Sequence, residues 1–190
     1  KPYLASQLVV TIAAGIRVKD LSRWLGGYRR IVRVMPNTPA LVHAGISGLY
    51  APAAVGADGR AMAEKVLGAV GKTVWLEREE DIDAVTAVSG SGPAYVFYFI
   101  EALERAAREL GLADDAAHRL AIETFNGAVK LAAQSSEPPE TLRSRVTSKG
   151  GTTERALKSM EDDRVKDAIV RAVRAAAERS RELGDELGRD

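Results

Sequence analysis

The segment KTVWLEREEDIDAVTAVSGSGPAYVFYFIEALERAARELG, Lys72 to Gly111, is where the texture of the chain changes. Its opening, KTVWLE (Lys72 to Glu77), has the length and β-branched composition of a strand. The rest reads as helix. Val96, Phe99, Ile100, Leu103, Ala107 and Leu110 recur at helical spacing, while Tyr95, Phe97 and Tyr98 add apolar surface on the other faces. A helix of that kind needs cover on nearly all sides, which a second subunit supplies most readily. The boundary between the two textures lies between residues 77 and 81, giving an expected α/β part over 1–78 and an all-helical part over 79–190.

Towards the N-terminus, LVVTIAAG (Leu8 to Gly15), RIVRVMP (Arg30 to Pro36) and GISGLYA (Gly45 to Ala51) are further strand-like runs. Between them, VKDLSRWLGG (Val18 to Gly27) has helical spacing and closes on a glycine pair, and GRAMAEKVLGAVG (Gly59 to Gly71) repeats the pattern with Met62, Val66, Leu67 and Val70. This alternation predicts an α/β layer. Towards the C-terminus, DDAAHRLAIETFNGAVKLAAQ is a further helix, with Asp114 or Asp115 as N-cap candidate. SSEPPE (Ser135 to Glu140) is a loop whose prolines lie near the start of the next helix. From Asp162 to Leu187, the residues Val165, Ile169, Val173, Ala176, Ser180, Leu183 and Leu187 form one stripe along a long helix.

Composition sets limits on function. The 190 residues are 46% hydrophobic and 28% charged, and 27 Lys and Arg are interleaved with 26 Asp and Glu, so neither nucleic acid nor a membrane surface is an expected partner. No apolar run approaches the roughly 20 residues of a bilayer span. Without cysteine there are no disulfides, thiolate nucleophiles or Cys-ligated metals, which fits a reducing cytoplasm. The two histidines, His43 and His118, lack any pattern that suggests a triad or a metal site, so no metal is expected.

The acidic run LEREEDID (Leu76 to Asp83) reads as a charged helix start. GSGPAY (Gly90 to Tyr95) imitates part of a dinucleotide fingerprint, but it ends on Tyr95 and follows a helical period, so it reads as a helix break with Pro93 in the next first turn. Two turns are better placed to meet a ligand. IAAGI follows the first strand with residues small enough for a flat group to lie against the backbone, and MPNTPA follows the second with Pro36 and Pro39 stiffening a loop that offers Asn37 and Thr38. Two such turns at consecutive strand ends suggest one crevice. Finally, TSKGGTTERAL (Thr147 to Leu157) puts glycines ahead of a helix. They let its first N–H groups approach an anion such as a carboxylate, while Thr152 or Thr153 could equally be a plain N-cap followed by Glu154.

TIAAGI, RIVRVMPNTPA, DAVTAVSGSGPAYVFYFIEAL and VTSKGGTTERAL, in this order and with fitting separations, closely resemble the pyrroline-5-carboxylate reductases, and AAERSRELG is similar to that family's C-terminal helix. The resemblance implies the C-terminal portion of a Rossmann-type domain followed by a helical dimerisation domain, with dimers that assemble into decamers. It implies hydride transfer from NADPH or NADH to the C=N bond of 1-pyrroline-5-carboxylate, giving L-proline. Ala13, Ala14 and Gly15 would border the cofactor, with Met35, Pro36 and Asn37 near the nicotinamide. Ser148, Gly150, Gly151 and Thr152 would hold the substrate carboxylate, Thr153 would serve the ring nitrogen as the catalytic group, and Glu79 would reach the substrate from the start of the first helix. Such chemistry needs alignment more than a strong base.

Three positions depart from the family pattern. Lys149 stands where proline is usual, Arg145 where Asn or Gln is common, and Glu154 where the residue is usually apolar. The family's phosphate-binding fingerprint also has no counterpart, because the matching region starts shortly before the strand leading to Ala14. The expectation is therefore a chain lacking the first half of the nucleotide domain, binding NADPH poorly by itself; the alternative is a non-catalytic oligomerisation module of the same family.

Overall fold

The computed structural model describes residues 4–189. RIVRVMP is apolar at neighbouring positions, as a strand covered on both faces should be. Ile31–Met35 accordingly forms strand β2, with Ile31, Val32, Arg33 and Val34 all buried. Together with β1 (Val9–Thr11), β3 (Gly45–Tyr50) and β4 (Gly71–Trp75) it builds a sheet of order β1-β2-β3-β4. β1 and β2 are parallel, Val9 opposite Ile31 and Thr11 opposite Arg33, and the helix α1 (Val18–Trp24) connects them. β3 and β4 are parallel as well, joined by α2 (Gly56–Gly68). β2 and β3 run antiparallel, because residues 36–44 hold only a 3-10 turn over Thr38–Val42 and cannot form a crossover.

Alternation along β2 divides its side chains between the two faces. Val32 and Val34 enter a core with Leu49, Ala51, Val55, Ala63 and Leu67, closed at its margins by Leu8 and Trp75. The face that α2 buries differs from the one its apolar residues suggest. Gly59, Ala63 and Leu67 point inward, whereas Met62 and Val66 are exposed, because the close approach of Val55 to Gly59 admits only a small residue at the start of the inner row. The opposite face of the sheet receives α3 (Asp81–Val85), whose Val85 packs directly on the Cα of Gly48.

Beyond α3 the chain is helical, as the texture change at Glu79 predicts. A π-helical turn, Thr86–Gly90, leads into α4 (Gly92–Glu109), followed by α5 (Asp114–Gln134), α6 (Pro139–Arg145), α7 (Thr152–Asp162) and α8 (Val165–Leu187). Three expected details change. The N-cap of α5 is Ala113, so Asp114 and Asp115 act through the helix dipole from the first turn. The N-cap of α7 is Gly151 rather than either threonine. α8 starts at Val165, because Arg164 adopts a left-handed φ of 52° and interrupts the run from Asp162.

The chain divides into two compact units, one running to Pro93 and taking in Arg171 onward, the other Ala94–Val170. The first unit thus takes in α3, the π turn and most of α8 together with the sheet. Its ties to α8 and the residue after it are specific: Arg17 Nη1 donates to Asp185 Oδ1 at 2.6 Å, Ser180 Oγ to Asp83 Oδ1 at 2.6 Å, and Arg23 Nη2 to the Gly188 carbonyl at 3.0 Å. In the second unit the described residues bury only the side chains of Ala117 and Ala121. Phe97 and Tyr98 on α4 are 58% and 72% exposed, and Val129 and Leu131 on α5 are exposed too.

Candidate active site

Because β1 and β2 are adjacent and parallel, the two turns singled out in the sequence lie at the same edge of the sheet. After β1 the chain turns tightly: Ala13 N–H donates to Thr11 Oγ1 at 3.3 Å and Ile16 N–H to the Ala13 carbonyl at 3.5 Å. Ala13 and Ala14 are exposed there and offer only methyl groups, which leaves their backbone open to a flat ligand. Gly15 is buried with φ +76°, and a Cβ on it would stand 2.8 Å from Leu187 Cδ1. Its missing side chain thus serves the packing of α8 as well as the turn. After β2, Met35, Pro36 and Asn37 are half-buried, and Asn37 Oδ1 accepts the Ile46 N–H at 2.9 Å, fastening this loop to β3.

SGSGP joins the same region. Thr86 Oγ1 and Ser89 Oγ donate back to the carbonyls of Ile82 and Val85, at 2.8 and 3.0 Å, and the Ser91 N–H reaches the Thr86 carbonyl at 2.8 Å. Hydroxyls that bond back into the helix favour this widened turn. The expected helix break, at Ser91, is therefore preceded by a π turn, which sets Gly90 against the side chain of Met35.

Glu79 lies just before α3 and is largely buried, its side chain 18% exposed. Its Oε1 accepts two hydrogen bonds, from Val18 N–H at 2.7 Å and from Arg33 Nη1 at 3.0 Å. Arg33 projects from the middle of β2 with its side chain 5% exposed. A cleft of about 510 Å³ opens beside this pair, bounded by Arg17, Arg78, Asp83, Arg181 and Asp185. Sequence reasoning does not single out Arg33; the available signal is a cation inside the apolar run IVRVM, Ile31 to Met35.

In the second unit the glycine-rich turn runs directly into α7. Gly150 takes φ +75°, the Gly151 N–H donates to the Ser148 carbonyl at 3.0 Å, and α7 follows with Thr153 half-buried. Glu154 Oε2 accepts the Gly150 N–H at 2.7 Å, so the N–H groups of both glycines are bonded within the chain, one of them to a carboxylate. Lys149 is exposed in the same turn, and Arg145 is held by Glu137 at 2.6 Å. His43 Nδ1 lies 3.0 Å from the Ala69 carbonyl and His118 Nδ1 2.7 Å from Glu104 Oε1, local contacts that form no triad. Among the described residues no cluster of three or more His, Cys, Asp or Glu could hold a metal ion, and no helix is long and apolar enough to cross a membrane.

Comparison with known proteins matches this chain over nearly its whole length. The family model for pyrroline-5-carboxylate reductase dimerisation fits residues 79–183. A pyrroline-5-carboxylate reductase from Pseudomonas aeruginosa is 50% identical over 182 residues, covering 96% of this chain and 67% of that protein. Pyrroline-5-carboxylate reductase 2 from Bacillus subtilis is 37% identical, over 98% of this chain and 67% of that protein. The chain thus spans about two thirds of the length of these relatives. Among solved structures, a pyrroline-5-carboxylate reductase from Coxiella burnetii aligns with TM-score 0.91 and 41% identity, over 96% of this chain and 68% of that one. The Plasmodium falciparum pyrroline carboxylate reductase with NADP bound aligns with TM-score 0.89 and 35% identity, over 97% of this chain and 74% of that one.

Proposed function

The chain belongs to the pyrroline-5-carboxylate reductase family, and from that premise we propose that this protein reduces 1-pyrroline-5-carboxylate to L-proline with NADPH or NADH, as a soluble cytoplasmic homo-oligomer. The observation that carries the reading is the convergence of three family segments on one edge of the sheet: the Ala13–Gly15 turn, the Met35–Asn37 loop and the π turn at Gly90. Exposed methyl groups at Ala13 and Ala14 beside a half-buried Met35 suit the flat, partly apolar face of a nicotinamide. Ala13, Ala14, Gly15, Met35, Pro36 and Asn37 would border it. When bound, the reduced nicotinamide supplies the hydride.

The substrate is a cyclic imine carrying a carboxylate. Ser148, Gly150, Gly151 and Thr152 would hold that carboxylate through the hydroxyls and the first N–H groups of α7, where the helix dipole favours negative charge. The Thr153 hydroxyl would hydrogen-bond the ring nitrogen, and Glu79 would face the substrate from the start of the helical part. A protonated imine is electrophilic, so its carbon accepts hydride once it is aligned, and the nitrogen keeps its proton as the amine forms. The functional division would then lie near residues 78–79, with the cofactor side before it. The exposed α4 and α5 faces support assembly, as a dimer through the helical domain and further to a decamer.

The test is proline formation and loss of NADPH on mixing with 1-pyrroline-5-carboxylate, for the chain alone and for the longest polypeptide in which it is encoded. Absence of turnover in both defeats the reductase reading. Turnover by the longer polypeptide alone would favour the second reading for this chain, a non-catalytic oligomerisation module; the lack of a G-x-G-x-x-G turn in its sequence motivates that comparison.

A further inference from the structure

Arg33 is a buried charge for which the proposed reaction has no use. Its side chain is 5% exposed in the middle of β2, and its Nη1 meets Glu79 Oε1 at 3.0 Å. Burying such a pair is a weak route to stability, since apolar side chains of similar volume often serve as well. What distinguishes the pair is its connections. β2 leads, two residues after Arg33, into the Met35–Asn37 loop. The same Glu79 oxygen accepts the Val18 N–H at 2.7 Å, and Val18 is the first residue of α1, the helix that leaves the Ala13–Gly15 turn. One carboxylate oxygen therefore ties together the strand entering one loop and the helix leaving the other. This link adds to a short ladder, since β1 pairs with β2 over only Val9–Thr11.

The neighbouring charges have other partners. Arg17 is bonded to Asp185, Arg78 to Asp81, and Asp83 to Ser180. Within the cleft, Glu79 is the carboxylate that Arg33 meets.

We infer that Arg33 and Glu79 form a positioning pair that holds the two loops flanking the nicotinamide at their working separation, and so sets affinity for the dinucleotide. Neither group acts on the nicotinamide itself. The inference rests on the reductase reading for the identity of that ligand. It also adds a cofactor-side role to Glu79, for which family likeness suggests only the substrate.

The test uses the longest polypeptide encoding the chain, with Arg33→Met, Arg33→Lys and the double variant Arg33→Met/Glu79→Met. The double variant removes both charges together and guards against a folding failure caused by an orphaned carboxylate. Losing a charge-assisted bond should raise KM for NADPH roughly tenfold in Arg33→Met. KM for the imine should change less, and Arg33→Lys should recover part of the loss. In the double variant, NADPH titration by fluorescence without imine should show the same weakening, and the Val18 amide should exchange faster than in the parent. Unchanged NADPH affinity in both Met variants overturns the inference, as does a loss confined to KM for the imine. If the parent has no turnover, the reductase reading fails separately. The positioning role is then judged by Val18 exchange and the NADPH titration, and unchanged values in both refute it.

Discussion

Met35 and Gly90 meet with no room between them: a Cβ on Gly90 would stand 2.7 Å from Met35 Cε. This contact joins the end of β2 to the π turn, so Gly90 limits where the Met35 side chain can go. Gly90→Ala should fold, because the obstructing atom is the end of a flexible thioether. The added methyl displaces Met35 towards the nicotinamide side, and turnover should fall several-fold with a stability loss of about 1 kcal/mol. Steady-state kinetics and urea unfolding check this. Unaltered kinetics would remove the Met35 loop from the cofactor site.

Gly71 should behave differently, because its obstruction is backbone. It opens β4 with φ +155°, and a Cβ there would collide with the carbonyl of Gly45, its partner in the β3–β4 ladder. Neither strand can yield without breaking the register. Gly71→Ala should therefore cost about 3–5 kcal/mol, among the larger single-site effects. Chemical denaturation measures it, and a loss under about 1 kcal/mol would contradict the geometry.

These two glycines also mark how far the sequence is legible. The strands, α1 and the change of texture at Glu79 follow from period and composition, because each element's apolar spacing reflects its own burial. Strand direction does not: nothing in GISGLYA distinguishes an antiparallel β3 from a parallel one, and only the short 36–44 link decides it. SGSGP reads as a helix break, and the helix does break at Ser91 with Pro93 in the first turn of α4; the π turn just before it, with its hydroxyl back-bonds, leaves no periodic trace. The role of Arg33 is not legible, because a partner 46 residues away, Glu79, cannot be inferred from spacing. The glycine-rich turn was legible as a candidate cradle, but the carboxylate bonded to it became visible only in the structure.

The exposed apolar surface of α4 predicts an interface. Val96, Phe97 and Tyr98 are 42%, 58% and 72% exposed in succession, more apolar area than an isolated helix tolerates in water. Phe97→Glu would place a charge where a partner subunit should bury an aromatic ring, and the desolvation cost should dissociate the assembly. Light scattering after size exclusion should show an oligomer for the parent and a monomer for the variant at micromolar concentration. A monomeric parent would refute the assembly claim.

The turn before α7 makes opposed predictions for neighbouring residues. Glu154 Oε2 occupies the Gly150 N–H at 2.7 Å, and a substrate carboxylate in the cradle would compete for that donor. Glu154 is exposed, so its carboxylate can swing into water, at the expense of a bond worth about 1.5 kcal/mol. Glu154→Ala leaves the donor open and removes a negative charge from the cradle, so KM for 1-pyrroline-5-carboxylate should fall about tenfold. Thr153 faces the other way in this scheme. Its hydroxyl would serve the ring nitrogen rather than the carboxylate, so Thr153→Ala should lower kcat by roughly tenfold while KM moves little. Measured together, the two variants separate the roles: a KM effect for Glu154 and a kcat effect for Thr153 support the cradle. A rise in KM on removing Glu154 would mean that its carboxylate orders the turn for binding instead of competing there.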